Sequence, residues 1–277
     1  MQASDSTMMR QYGPWALIAG ASEGIGLAFA EQLAAQGINL VLLSRSAHKL
    51  ARARARIEAQ HPVAIECISA DLSHDDGFSD VVARTEHLEI GLLVYNAGAV
   101  HGAQRFHDQP VAHALGLINL NCRGPVLFAH HFGQRMRERR RGGMLFLSSL
   151  ACVSGSSYIA AYCATKSFDT IFAQSLWHEL APDNVHVLCL VAGKTRTPAM
   201  AESGLEFEPG QEGVMEASEV ASEGLAHLGD GPVWIAGENN RAAASVLKSL
   251  GAAELVEIMS EATAALYGKP YVRVAGV

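Results

Sequence analysis

Residues 158–166 read YIAAYCATK. Tyr162 and Lys166 are four apart, so on a helix they share one face with Cβ atoms roughly 5–6 Å from each other. A free tyrosine, with a pKa of about 10, is a poor base near neutrality. A nearby ammonium favours the phenolate. At an effective dielectric of about 20 and ~4 Å the attraction is about 4 kcal/mol. At ~1.36 kcal/mol per unit, two or three units of acidification are within reach, enough for general acid/base work. Ser149 closes an apolar run ahead of this helix and can donate to the carbonyl oxygen that Tyr162 would protonate. Asn96-Ala97-Gly98 closes another run, where the glycine lets backbone approach a cofactor. Asn121 lies inside a long helical pattern, where a buried Asn disturbs the ladder and can hold a water. Tyr158 is four from Tyr162 but eight from Lys166, and reads as pocket wall or packing. Gly155 belongs with it as pocket lining.

A second group sits near the amino terminus. GASEGIG (20–26) joins an apolar run to a helical pattern, with glycines at 20, 24 and 26. Such a turn lets backbone N–H groups reach a diphosphate at a helix N-terminus. The same letters contain GxSxG, the elbow of a serine hydrolase, with Ser22 as nucleophile. That elbow needs strands before it to build an oxyanion hole, and about a dozen residues are available. Capping, or binding of a phosphate oxygen, suits Ser22 better. The next apolar run ends in Ser44-Arg45, with Lys49 four further on. A small donor and a fixed cation there favour NADP(H) over NAD(H), because an acidic residue would repel a 2′-phosphate. Two exposed helix-start cations are the plainer alternative. Asp71 can accept from an adenine amino group or act as an N-cap.

The elements that must position these groups alternate along the chain. Apolar runs at 15–20, 38–44, 63–72, 91–98, 143–149, 185–193 and 231–237 read as strands, and helical patterns separate them. The runs are apolar on both faces, as in a parallel sheet covered on both sides. The fold class expected is α/β, a single-domain Rossmann-like doubly wound sheet of seven parallel strands with helices on both faces. Residues 13–277 form one domain for cofactor binding and catalysis. Residues 1 to about 12 are expected to be a flexible tail. The irregular stretch 194–216, rich in Gly, Pro and Glu, reads as a loop or lid with short helices.

Composition removes several classes. Hydrophobic residues make up 49% of the chain and charged residues 18%, enough for a sizeable core. The formal net charge of −7 disfavours nucleic acid. The arginine clusters at 51–57 and 135–143 read as solvated helix surface. Five scattered cysteines, without a CxxC pair, suggest neither a disulfide framework nor a zinc site, and point to reduced thiols in a cytoplasm. His130 and His131 lack ligand partners at metal spacing, so no metal is expected. No apolar run approaches the roughly 18 residues of a membrane span, and the first residues lack a signal-peptide core.

Together GASEGIG, Asp71, Asn96-Ala97-Gly98, Asn121-x-x-Gly124, Ser149, Tyr162-x-x-x-Lys166 and Ala192-Gly193 through Thr197 resemble the short-chain dehydrogenase/reductase family, over residues 15 to about 200. The resemblance implies that Tyr162 is the acid/base and that Ser149 polarises the carbonyl. It implies that Lys166 also binds the nicotinamide ribose, and that Asn121 holds a water linking Lys166 to solvent. Cofactor contacts are implied at Gly20, Ser22, Glu23, Gly24, Ile25, Gly26, Ser44, Arg45, Lys49, Asp71, Leu72, Asn96, Ala97, Gly98, Tyr162, Lys166 and Gly193. Thr195 or Thr197 would meet the carboxamide or the diphosphate. Ala19 and Ala192 replace the family's usual Thr and Pro. Glu23 stands where NADP-preferring members often carry a basic residue. The amino-terminal half is similar to hydroxysteroid dehydrogenases and 3-ketoacyl reductases, so a fairly apolar ketone or acyl substrate is expected. Family members usually pair through their long helices, implying a homodimer or homotetramer. A non-catalytic dinucleotide sensor on the same fold is the alternative, and would be expected to show a damaged tetrad.

Overall fold

Strands with apolar side chains on both faces need cover on both sides, and the chain supplies it. The computed structural model describes residues 7–99 and 102–274. β1 (Trp15–Ala19), β2 (Asn39–Ser44), β3 (Ile65–Ser69), β4 (Ile90–Tyr95), β5 (Gly142–Ser149) and β6 (Val185–Ala192) follow in chain order. β7 (Thr195–Arg196) and β8 (Met215–Glu216) pair only with each other, and β9 (Val233–Ile235) returns to the main sheet. All seven strands of that sheet are parallel, in the order β3-β2-β1-β4-β5-β6-β9. β4 is buried along its whole length, whereas the edge strand β3 exposes Glu66 and Ser69. The order reverses between β1 and β4, which puts a ligand crevice at their carboxyl ends.

Eleven α-helices are described: α1 (Thr7–Tyr12), α2 (Gly24–Ala35), α3 (Ala47–Glu58), α4 (Asp75–Thr85), α5 (Val111–Ile118), α6 (Gly124–Arg139), α7 (Ala160–Leu180), α8 (Pro198–Glu202), α9 (Ala217–Ala226), α10 (Glu238–Leu247) and α11 (Ala252–Leu266). α2, α3 and α9 cover one face through Phe29, Leu33, Leu50, Ile57 and Val220. α4, α6 and α7 cover the other through Val81, Phe128, Phe132, Met136 and Ala173. No helix among the described residues is long and apolar enough to cross a membrane.

Residues 7–12 are not a flexible tail but the helix α1; residues 1–6 of the expected tail lie outside the described residues. Tyr12 is buried, its hydroxyl 2.6 Å from His186 Nδ1, and its ring lies where a Cβ on Gly143 would be, at 2.7 Å. Burial pushes the Tyr12 phenol up, with Asp230 adding to it, and pushes His186 down. Tyr12→Phe leaves the imidazole unpartnered there. It should cost about 1–3 kcal/mol, seen as a lower denaturation midpoint with activity retained.

The long helical pattern at 109–140 is broken where Asn121 suggested. α5 passes into a π-helical turn, Asn119–Arg123, before α6. The Tyr95 hydroxyl donates to the Leu120 carbonyl at 2.9 Å. Gly124 makes room for it, since a Cβ there would lie 1.9 Å from that hydroxyl oxygen. The strand predicted at 231–237 is shorter, because only Val233–Ile235 pair with β6.

Candidate active site

The glycine-rich turn is anchored at its start and lacks a side-chain cap at its helix end. Gly20 has φ +80, and its N–H and that of Ala21 both donate to the Leu43 carbonyl at 2.9 Å. A Cβ on Gly26 would lie 2.0 Å from the Gly20 carbonyl oxygen. Asn96 Nδ2 donates to that same oxygen at 2.8 Å, and its backbone N–H to Ala19 at 3.1 Å, which locks the ends of β1 and β4 together. Ser22 does not cap α2 as expected. The N-cap is Glu23, in extended conformation and with no side-chain hydrogen bond. The first N–H groups of α2, beginning at Gly24, Ile25 and Gly26, therefore lack a side-chain acceptor, which is the setting a diphosphate fills. The cradle fits a dinucleotide.

At the end of β2, Ser44 Oγ accepts from the Ser46 N–H at 3.1 Å, and the Arg45 side chain is exposed. Lys49, expected to assist Arg45, is committed elsewhere: it pairs with Glu23 at 2.9 Å and with Glu202 of α8 at 3.3 Å. The Glu23 hydrogen bond is the main cause that raises its ammonium. Asp71 is exposed beside the buried Leu72 and is not the cap of α4, which is His74. It accepts from Ser73 N–H at 3.0 Å and Ser73 Oγ at 2.6 Å. Burial acts to raise the Asp71 carboxyl, but these bonds, with His74 and Arg45, hold it below its ordinary value.

α7 begins just beyond β5 and carries Tyr162 and Lys166 on one face. Lys166 is buried, and its Nζ donates to the Leu147 carbonyl at 2.8 Å and to Asp169 Oδ2 at 3.0 Å. Burial alone would lower this ammonium; Asp169, followed by Tyr162, keeps it raised. Tyr162 and Ser149 are half-buried, and Ser149 Oγ accepts from the Ala151 N–H at 3.2 Å. Asn121 is buried in the π turn. Its Nδ2 donates to Thr165 Oγ1 at 3.1 Å and to the Ala99 carbonyl at 3.3 Å, and its Oδ1 accepts from the Ala99 N–H at 3.3 Å. A Cβ on Gly98 would sit 3.5 Å from both Asn121 Oδ1 and Lys166 Nζ, so these three residues meet. The turn containing Asn96, Ala97 and Gly98 is thus shared by the glycine cradle and the tetrad.

The loop before α7 and its neighbours border Tyr162. Tyr158 has φ +71, a left-handed conformation rare for a tyrosine, and its hydroxyl donates to the Pro270 carbonyl. Tyr158, Ile159, Leu117 and Gln109 line a small cavity against Tyr162. Gly155 is exposed, with Val256 of α11 3.9 Å from where its Cβ would be. α11 pins this loop: Ser156 Oγ donates to Thr263 Oγ1 at 2.7 Å, and the Ser157 N–H to Ser260 Oγ at 3.0 Å. In the 194–216 segment, Thr195 is buried with its hydroxyl on the Gly193 carbonyl, and Thr197 caps α8 and lies against Gly24. Burial, then Tyr162, raises the phenol of Tyr267, while its bond with Ser203 acts against this. Sequence reasoning missed Asp169, Tyr267 and the α11 anchors. An acid on an otherwise buried helix face was the available signal for Asp169; the others come from contacts distant in sequence.

The family profile described as short chain dehydrogenase matches residues 14–206. The chain belongs to the short-chain dehydrogenase family. It is an NAD(P)-dependent oxidoreductase acting on small molecules. It is 30% identical over 240 residues to the 7beta-hydroxysteroid dehydrogenase of Mediterraneibacter gnavus, covering 85% of this chain and 90% of that one. A solved structure of a 7beta-hydroxysteroid dehydrogenase, studied for its stereoselectivity, superposes with a TM-score of 0.85 at 28% identity over 92% of this chain and 99% of that one. A short-chain dehydrogenase from Sphingobium yanoikuyae in complex with NADPH superposes with a TM-score of 0.75 at 28% identity, over 86% and 93%. The glycine turn and the tyrosine helix both pack against the turn containing Asn96 and Gly98.

Proposed function

We propose that this dehydrogenase interconverts a ketone and a secondary alcohol on a fairly apolar molecule, steroid-like, acyl or polyketide-like, with NADP(H) and with Tyr162 as acid/base. The observation that carries the reading is the buried Lys166 ammonium one turn from Tyr162, beside the same Asn96–Gly98 turn that packs on Gly20 of the glycine cradle. When bound, the nicotinamide supplies or accepts hydride. Tyr162 gives its hydroxyl proton to the carbonyl oxygen in reduction and takes it back in oxidation. Ser149 Oγ donates to the same oxygen and fixes its place. Lys166 holds positive charge beside Tyr162 and offers an N–H to the nicotinamide ribose. Asn121 orders the Ala99 and Thr165 groups behind the lysine, where a water could pass protons onward. The uncapped start of α2 receives the diphosphate.

The NADP preference rests on the exposed Arg45 at the end of β2, and on the NADPH-bound relative. Lys49 is not part of it, because Glu23 and Glu202 hold it. Arg45→Asp should shift the ratio of NADPH to NADH efficiency by about tenfold or more toward NADH, read from kcat/KM with each coenzyme. The apolar substrate class is supported by the 7beta-hydroxysteroid dehydrogenase relatives. Val111, Leu115, Ile118 and Ile171 are exposed apolar residues on α5, the π-turn approach and α7, which supports pairing of two or four copies through these helices. The five free cysteines suit a reducing cytoplasm. Ketones, 7-oxosteroids and 3-oxoacyl thioesters assayed with both coenzymes test the reading. Ketone-dependent NADPH oxidation is expected, and its absence across the panel would contradict it.

A further inference from the structure

One buried acid next to the tetrad has no part in the reaction as described. Asp169 is 2% exposed, three residues after Lys166, on the sheet-facing side of α7. Its Oδ2 takes the Lys166 ammonium at 3.0 Å, and its Oδ1 is buried with no hydrogen-bond partner among the described residues. A buried ion pair seldom stabilises a fold more than apolar residues of the same volume would. Left without a partner, the buried ammonium would be costly, so the carboxylate is there because of Lys166 and not for packing alone.

The geometry around Nζ gives the carboxylate a further role. An ammonium has three N–H donors. Leu147 takes one from β5 and Asp169 takes a second. The third is left for the side where Gly98 and Asn121 stand, which is the crevice. We propose that Asp169 is a positioning residue, which holds the Lys166 ammonium against the Leu147 carbonyl, aims its remaining N–H into the cofactor crevice, and offsets part of the charge it presents to Tyr162. This rests on the functional reading above. Asp169 is faced by Lys166 on its own helix, by Tyr95 of β4, by Cys122 of the π turn and by Cys189 of β6. Burial keeps both thiols and the Tyr95 phenol raised, so Lys166 is the one cation among these neighbours. Burial also pushes the Asp169 carboxyl up to about 6, with Lys166 opposing it.

The sign of the effect follows. Asp169→Asn keeps an oxygen acceptor for Nζ and deletes the negative charge, so the positive charge reaching Tyr162 is larger. The acidic limb of the kcat profile for alcohol oxidation should then move to lower pH by about half a unit or more, with NADPH affinity within about threefold of wild type. Asp169→Val leaves Nζ with one protein acceptor, so NADPH should dissociate about tenfold or more readily, read by fluorescence titration without turnover. Either variant that folds decides the matter. If it keeps the wild-type pH profile and NADPH dissociation constant, even with a lower denaturation midpoint, Asp169 is merely structural. An alkaline shift for Asp169→Asn would also overturn the proposal. Wild-type protein that neither binds nor oxidises NADPH would instead overturn the functional reading itself.

Discussion

Tyr162→Phe should bind NADPH as wild type does and lose ketone reduction by roughly a hundred- to ten-thousand-fold, the usual worth of a positioned general acid. The change removes one oxygen from a half-buried ring and leaves the helix, the Lys166–Asp169 pair and the Leu147 contact in place. The fold therefore has little to lose, and the denaturation midpoint should stay within a few degrees. The loss should fall on kcat more than on KM for ketone, because the missing proton is transferred only as the carbonyl is reduced. Steady-state kinetics and a fluorescence titration with NADPH check both halves. A variant that reduces a cognate ketone as fast as wild type would remove Tyr162 from the chemistry.

The second large effect is expected at Gly26. A methyl there would meet the Gly20 carbonyl oxygen at 2.0 Å and Asn96 Nδ2 at 2.6 Å. The first is backbone, so it can yield only by opening the turn. The Asn96–Gly20 hydrogen bond would be lost with it, and the α2 amides would no longer converge. Gly26→Ala should weaken NADPH binding by at least about a hundredfold, which is ~2.7 kcal/mol, and lower the denaturation midpoint. Gly24→Ala makes the useful contrast. Gly24 has φ +57 and its nearest neighbours are Thr197 side-chain atoms at 3.3 Å. The cost there is mainly left-handed backbone, about 1–2 kcal/mol, and NADPH binding should survive. Calorimetric titration of both variants distinguishes a cradle shaped for a diphosphate from a turn that is merely tight.

What the sequence made legible was whatever depends on neighbours along the chain. The run INLVLLS became β2 almost residue for residue, because its four buried apolar residues, Leu40 to Leu43, leave no break inside it and the polar Asn39 and Ser44 mark its ends. YxxxK predicted a shared helix face, and Lys166 and Tyr162 are electrostatic neighbours on α7. The disturbance expected around Asn121 became a π turn, though its partner, Tyr95, is 25 residues away from Leu120 and could not be read locally. Residues paired over long distances were the ones missed. α1 is six residues long and too short to hold itself together; Tyr12 holds it through His186, 174 residues later. Lys49 looked like a phosphate ligand until Glu202 reached it from α8. Asp169 was passed over, because only the fold packs α7 across β5 and β6 and so leaves its carboxylate almost no exposure to solvent.

The most direct test is to reduce a cognate ketone with NADPH carrying deuterium at both hydrogen positions of nicotinamide C4 and to find the label. Hydride delivery beside Tyr162 predicts one deuterium on the carbinol carbon of each alcohol formed, with the hydroxyl proton drawn from exchangeable positions. Alcohol product without that deuterium, or ketone left unchanged while wild-type protein holds NADPH, would contradict the account.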